Sequence, residues 1–258
     1  MKAAAKTLLM SLGIAALTHA SSVVTPSEVQ PQAWVKEIGG EAQLFDYYEV
    51  VESSPDKMIT RTRFVDRETK EDAFREIVTT DLEGRLMYSY EIEHLQLDEK
   101  GSIQVDRATK KISYRYYKEG SWRENSEDLE EPFLVGAMIP RFIRLNETEI
   151  QKDDKIRFHL AVPYMAKSFN FALRKDEMVD FEGRSMLSVE MLPTHFLVRA
   201  AVKPLYFTYD LQTSDVRRIL GKVFLKKRTK SGYESFMAET LFLKEIKVAP
   251  APASSNRN

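Results

Sequence analysis

The sequence contains no cysteine, and only ten of its 258 residues are glycine and ten proline. The first absence excludes disulfides, thiol nucleophiles, cysteine-ligated metals and a lipid-anchoring lipobox cysteine. A chain without disulfides must be held together by its core. Sparse glycine goes with the absence of any glycine-rich phosphate loop. Histidine is scarcer still, at four. His19 belongs to an N-terminal leader, and His94, His159 and His195 stand far apart in no two-histidine metal spacing. No serine occupies a G-x-S-x-G elbow. The carboxylate pairs Asp153-Asp154 and Glu130-Glu131 lie in polar stretches beside Lys and Arg, where solvation and helix-end charge account for them better than acid–base work. The sequence therefore offers no catalytic residue, no metal site and no cofactor site. An excess of one charge is missing too. Lys and Arg number 38 against 39 Asp and Glu, so nothing predicts the basic surface that nucleic acid requires.

Long hydrophobic runs are also absent. The longest, residues 7–17, has eleven residues, against the roughly 20 needed to cross a bilayer as a helix. It follows Lys2 and Lys6 and precedes Thr18-His19-Ala20, with small residues at the −3 and −1 positions of a cleavage site. This order of charged, apolar and small segments predicts a secretory signal over residues 1–20 and an exported mature chain, periplasmic or secreted. Cleavage after Ala20 leaves 238 residues, enough for a sizeable core, and moves the net charge from −1 to −3. Residues 21–40 read as a flexible leader, 41–248 as a single β-rich domain, and 249–258 (APAPASSNRN) as a disordered tail. A break into two domains near 121–131 is the alternative.

What is present is period-two alternation. Leu86, Tyr88, Tyr90 and Ile92 share one face, and Ser89, Glu91 and Glu93 the other. The pattern returns at Ile112, Tyr114 and Tyr116; at Ile156, Phe158, Leu160 and Val162; and at Phe169, Phe171 and Leu173. It returns again at Leu187, Val189 and Met191, and at Leu205, Phe207, Tyr209 and Leu211. Alternation of this length marks strands with one buried face. Short turn signals ending in Gly84, Gly101, Gly120, Gly183 and Gly232 separate them and favour antiparallel neighbours. The expectation is mainly β: an antiparallel meander of about eleven strands forming a curved sheet or incomplete barrel with two short helices. The helices are placed at 131–145, with Pro132 at a first helical position and Pro140 kinking it or starting a second turn, and at 194–202. A transmembrane barrel is disfavoured, because the strands look short, the tail is polar and 131–145 needs burial.

The aromatic load has two readings. As core, it fills the space between a curved sheet and 131–145. As a site, Tyr88, Tyr90, Tyr114, Tyr116, Phe158, Phe171, Phe207 and Tyr209 line an apolar groove in which tyrosine hydroxyls orient a ligand. The basic cluster at Lys226, Lys227 and Arg228, with Lys222 and Lys230, reads either as a charged turn that guards an edge or as a contact for an anionic surface.

Val202-Lys203-Pro204-Leu205-Tyr206-Phe207-Thr208-Tyr209-Asp210, followed by Thr213, Arg217, Arg218 and Gly221, resembles a hairpin of uncharacterised exported bacterial β-rich proteins of the domain-of-unknown-function kind. The run from Pro132 through Val162 looks similar to that family as well. The resemblance covers the C-terminal half of the mature chain and implies a strand–turn–strand with no catalytic residues. A further likeness, in architecture alone, is to periplasmic lipoprotein carriers with an open half-barrel around short apolar helices. Three functions follow as expectations. The first is an envelope protein binding a lipid or other apolar small molecule in a half-barrel. The second is a structural or assembly factor with an envelope-protein partner. The third is an enzyme using His94, His159 or His195.

Overall fold

The computed structural model describes residues 30–196, 199 and 202–243. The expected signal peptide and tail lie outside the described residues. Among those described, the alternation resolves into fifteen strands of one sheet, more than the sequence predicts. They are β1 (Ala33–Glu37), β2 (Gln43–Ser53), β3 (Met58–Asp66), β4 (Asp72–Thr80), β5 (Met87–His94), β6 (Glu99–Asp106), β7 (Lys111–Lys118), β8 (Ser121–Asp128), β9 (Phe133–Leu134), β10 (Ile156–Val162), β11 (Lys167–Phe181), β12 (Arg184–Pro193), β13 (Leu205–Asp210), β14 (Asp215–Thr229) and β15 (Gly232–Phe242). The spatial order runs from β8 back to β1, then from β15 back to β9. All neighbours are antiparallel except β9 and β10. Two meanders are thus welded through β1 and β15, paired from Ala33–Phe242 to Glu37–Ala238.

This connectivity dictates curvature. β8 and β9 are the two ends of the sheet, yet only residues 129–132 join them. That connection spans at most about 18 Å fully extended, whereas fifteen strands laid flat would be roughly 65 Å wide. The sheet must curl until its ends approach. They do so without a shared ladder. Asn125 Nδ2 donates to the Ala166 carbonyl at 2.9 Å, and Glu127 Oε1 accepts the Ser168 amide at 2.9 Å and the Tyr114 hydroxyl. Register shifts at Lys175/Met178 of β11 and Lys222/Lys226 of β14 bend the two longest strands around the curve. The result is an incomplete barrel. Apolar residues face inward and charges such as Arg75, Lys111 and Arg115 face solvent, the reverse of a transmembrane barrel's polarity.

Several expectations change. The strands are not short: β11 and β14 each have 15 residues. β1 lies inside the stretch expected as a flexible leader, because Ala33 and Val35 are fully buried between β2 and β15. On β5 the inward residues are Met87, Tyr90 and Ile92, not Leu86 and Tyr88. Thr79 pairs with Ser89 and Thr80 with Met87, so Tyr88 is an extra bulged residue that reverses the alternation. In the first helical segment, Phe133 and Leu134 form β9. A 3₁₀ turn (Gly136–Met138) then leads into α1 (Ile139–Leu145), and α2 (Glu147–Gln151) follows. Pro140 sits in the first turn of α1, where its missing amide donor costs nothing, so it starts a helix and does not kink one. In the second segment, Phe196 and Arg199 are helical, and 197, 198, 200 and 201 lie outside the described residues.

The helical segment plugs the barrel. Ile139, Phe142 and Ile143 are buried, with the Phe142 ring 5.4 Å from Phe158, which lies 6.2 Å from Phe171. Phe158→Ala removes the middle ring of this stack at a site 1% exposed. It should cost about 3–5 kcal/mol, measured as a lower urea midpoint at unchanged slope. A loss below about 1 kcal/mol would show that the plug does not depend on the stack.

Candidate functional site

The plug and the sheet leave space between them. α1 is tied to the β4–β5 turn by Arg141, whose Nε donates to the Glu83 carbonyl at 2.5 Å and whose second guanidinium nitrogen donates to Leu82 at 3.0 Å. Gly84 makes this approach possible. It takes a positive φ of 67°, and a Cβ there would fall 2.4 Å from Arg141 Cδ. Partial burial depresses the Arg141 guanidinium. α2 is tied to the β13–β14 side by Glu147 Oε2, which accepts the Tyr209 hydroxyl at 2.8 Å and the Ser214 hydroxyl at 3.0 Å.

The opposite end is closed by the bend in β14. The Phe224 ring stacks on Phe74 at 6.3 Å and meets Tyr164 edge-on at 6.0 Å. His94 Nε2 lies 3.0 Å from the Phe224 carbonyl, and Gln96 exchanges two hydrogen bonds with the Lys226 backbone. Burial lowers His94, leaving a neutral ring whose Nε2–H donates to that carbonyl.

Between these closures is a cavity of about 260 Å³. One wall is β2 to β5, with Tyr47, Glu49, Thr60, Glu76, Val78 and Tyr90; the other is β12 to β15, with Met191, Phe207, Val216, Ile219 and Phe242. Glu49, Glu76 and Asp215 bring carboxyls to this mostly apolar space, and two of them are held by tyrosines. The Tyr47 hydroxyl donates to Glu49 Oε2 at 2.5 Å and the Tyr90 hydroxyl to Glu76 Oε2 at 2.6 Å. Both glutamates are enclosed by protein yet keep accessible surface, because that surface faces the cavity. Desolvation pushes Glu49 up and Glu76 up to about 7, with the charge of Glu49 adding to the effect on Glu76.

Of the residues expected to line a groove, Tyr90 and Phe207 border the cavity. Tyr88 lies on the other face, flanked by Lys57 at 5.4 Å and Arg107 at 5.7 Å. The hydroxyls of Tyr114, Tyr116 and Tyr209 are committed to Glu127, Glu99 and Glu147. Phe158 and Phe171 back the plug. In the basic hairpin, Lys227 is ion-paired to Glu37 at 3.0 Å and Glu234 at 2.9 Å, Lys226 Nζ donates to Ser235, and the Arg228 guanidinium lies 5.6 Å from the Tyr233 ring. The hairpin's central charge is thus neutralised internally. The histidines do not meet: His94 is buried at the β14 closure, His159 faces Glu130 at 3.3 Å, and His195 stacks on exposed Phe196. Among the described residues no group of three or more His, Asp or Glu is placed to hold a metal.

Glu49 and Glu76 escaped the sequence reading, although a signal existed. Each occupies an inward position in an apolar alternation, Phe45-Tyr47-Glu49-Val51 and Phe74-Glu76-Val78. A charged residue in register with a buried face is the informative exception.

The fold and cavity define an open, barrel-like antiparallel protein with an amphipathic lumen. No family model and no curated protein matches the sequence. Among solved structures the chain is similar to a beta-barrel-like protein of domain of unknown function DUF1849 from Brucella abortus, with 11% identity and a TM-score of 0.48. The match covers 83% of this chain and 96% of that one. Among the described residues no helix is long and apolar enough to cross a membrane.

The shift at Glu76 gives stability a definite pH dependence. Below about pH 4.5 the acid is neutral in both folded and unfolded chains and costs nothing. Between there and about 7 the unfolded chain ionises and the folded one resists, so stability is lost as pH rises. Glu76→Gln should therefore match the parent near pH 4 and exceed it by on the order of 3 kcal/mol near pH 8. Paired urea titrations across that range cancel the contributions of His94 and Glu99. A constant difference between the two chains would refute the raised carboxyl.

Proposed function

We propose that this chain is an exported envelope protein, periplasmic or secreted, that carries a hydrophobic or amphipathic small molecule in its half-barrel lumen without catalysing a reaction on it. The observation that carries this reading is the cavity of about 260 Å³ between the plug and the β14 closure. Ligand pockets usually measure about 300–1,000 Å³, so a cavity just under that range suits a slim single chain. Its walls combine apolar side chains with a few polar groups, the composition that holds an amphiphile in one orientation. Export rests on the layout of residues 1–20.

One observation favours a second reading, an assembly factor that pairs with an envelope protein. β8 ends the sheet and is exposed along nearly its whole length, Trp122 included. Arg123, Glu124, Glu127 and Asp128 guard that edge, and Asn125 and Glu127 already occupy it with bonds to residues 166 and 168. These features weaken the edge as a template.

The test is to purify the mature chain from its native host without detergent, extract it with organic solvent and analyse the extract by mass spectrometry. A near-stoichiometric amphiphile, reduced several-fold in Val78→Phe, is the expected result, because Val78 borders the cavity and is only 4% exposed. An extract indistinguishable from that of a control protein, together with a partner cross-linked to β8, would transfer the function to the edge strand.

A further inference from the structure

The lumen's polar groups are organised. Strand register places Glu49 opposite Thr62, and Thr62 opposite Glu76, so the three residues form one row across β2, β3 and β4 on the inner face. The tyrosine donors flank the row at Tyr47 and Tyr90. Thr62 is 3% exposed, and its hydroxyl lies beside that of Tyr47 without completing a hydrogen bond. Each carboxyl has one oxygen bonded to a tyrosine. Neither glutamate is ion-paired among the described residues. An enclosed carboxylate pair without a cation, beside an orphaned buried hydroxyl, is costly to retain for structure alone.

The cations that border the cavity do not fill this role. Arg141 spends its donors on Leu82, Glu83 and the Met58 sulfur at the plug. Lys222 is exposed on the bend of β14, and Arg144 follows Arg141 at the end of α1. None of them offsets the burial of Glu76, whose charged neighbour is a second carboxylate. The site's missing partner is positive.

We infer that Glu49 and Glu76, held in one row through Thr62, are the anchor for the head group of a single-chain amphiphile bearing an ammonium nitrogen, whose alkyl tail fills the apolar part of the lumen. An ammonium has three donors and no acceptor. It suits the free carboxylate oxygens of Glu49 and Glu76, which border the cavity and need no further acceptor. The cavity has room for about eight groups the size of a water or methylene, which fits an octyl-length chain. The inference rests on the lumen-carrier reading above and specifies its ligand.

Binding is tied to pH because the head group needs an ionised row. Facing it are Tyr47 of β2, Thr60 of β3 and Tyr90 of β5, with Arg141 and Arg144 of α1 and Asp215 and Lys222 of β14 bordering the same space. The tyrosines are pushed up by burial, so Glu76 is the row's titrating group near neutrality, beside a Glu49 that burial also pushes up. An ammonium ligand should bind tightly above about pH 7 and be released below it.

The experiment is calorimetric titration of the ligand-stripped mature protein with n-octylammonium, n-octanol and n-octanoate, near pH 8 and near pH 5.5. The expected result is octylammonium binding about tenfold or more tighter than octanol near pH 8, with that preference gone near pH 5.5. Glu76→Gln keeps the shape of the site and should abolish the preference while octanol affinity stays within about twofold. The wild-type pH comparison stands on its own if the variant fails to fold. Equal affinities for octylammonium and octanol near pH 8 would overturn the anchor and leave the lumen reading intact. Octanoate binding tightest would do the same and move the head group to Arg144 or Lys222. If none of the three binds, the lumen reading falls and takes the anchor with it.

Discussion

The rest of the structure depends on one constraint: four residues must carry the chain from one end of a fifteen-stranded sheet to the other. A short tether between distant edges leaves a sheet no solution but to curl. Strand twist supplies the direction and bulges in β11 and β14 supply the tight bends. The edges then meet without a ladder, and side chains replace backbone pairs at the join. Glu127 is central there, taking the Tyr114 hydroxyl from its own hairpin and the Ser168 amide from across the gap. Side-chain closure of this kind keeps β8 an edge strand, with its charges turned outward.

Curling concentrates aromatic side chains inside, and buried tyrosine hydroxyls then need partners. The answer repeats around the barrel: a tyrosine donates to a glutamate. Tyr47 pairs with Glu49, Tyr90 with Glu76, Tyr114 with Glu127, Tyr116 with Glu99 and Tyr209 with Glu147. The pairs differ in what else the glutamate touches. Glu99 also meets Lys118 at 2.9 Å and is held below the usual carboxylate range. Glu147 and Glu127 accept second bonds that fix the plug and the join. Glu49 and Glu76 have no second partner among the described residues and face the cavity, so burial decides their state and pushes them up. One motif therefore serves as a fastening in three places and as an unspent polar site in two.

The lumen survives because plug and sheet do not match in size. α1 and α2 are short, and their buried residues reach one end of the barrel, where Arg141 and Glu147 fasten them. The far end is filled by the bend of β14, held on His94 and Gln96. What lies between is not packed, and the groups left there are mostly apolar, interrupted by the two glutamates, hydroxyls such as those of Thr60, Thr80 and Thr240, and a few charges.

Much of the fold was legible in the sequence. The period-two run in β7 marks one buried face as read, and those in β10, β12 and β13 fall on strands, although β12 and β13 are covered on both faces. The signal failed where tertiary context broke the period. β5 carries a bulge that turns Tyr88 outward, β8 is an edge with almost nothing to bury, and β1 is too short to show a pattern before its neighbours are known. The candidate site was legible in only two of its expected aromatics, Tyr90 and Phe207. Tyr88 was turned outward by the bulge, while Tyr114, Tyr116, Phe158, Phe171 and Tyr209 were correctly placed on inner faces, but their hydroxyls and rings were taken up by glutamates and by the plug, which belong to other strands and helices. Sequence by itself determined the class: a disulfide-free, antiparallel β protein with an aromatic interior, because alternation and turn residues act within a few neighbours along the chain. Only the tertiary structure decided which buried glutamates keep a partner and which are left facing space, because that depends on strands joined in register from distant parts of the chain.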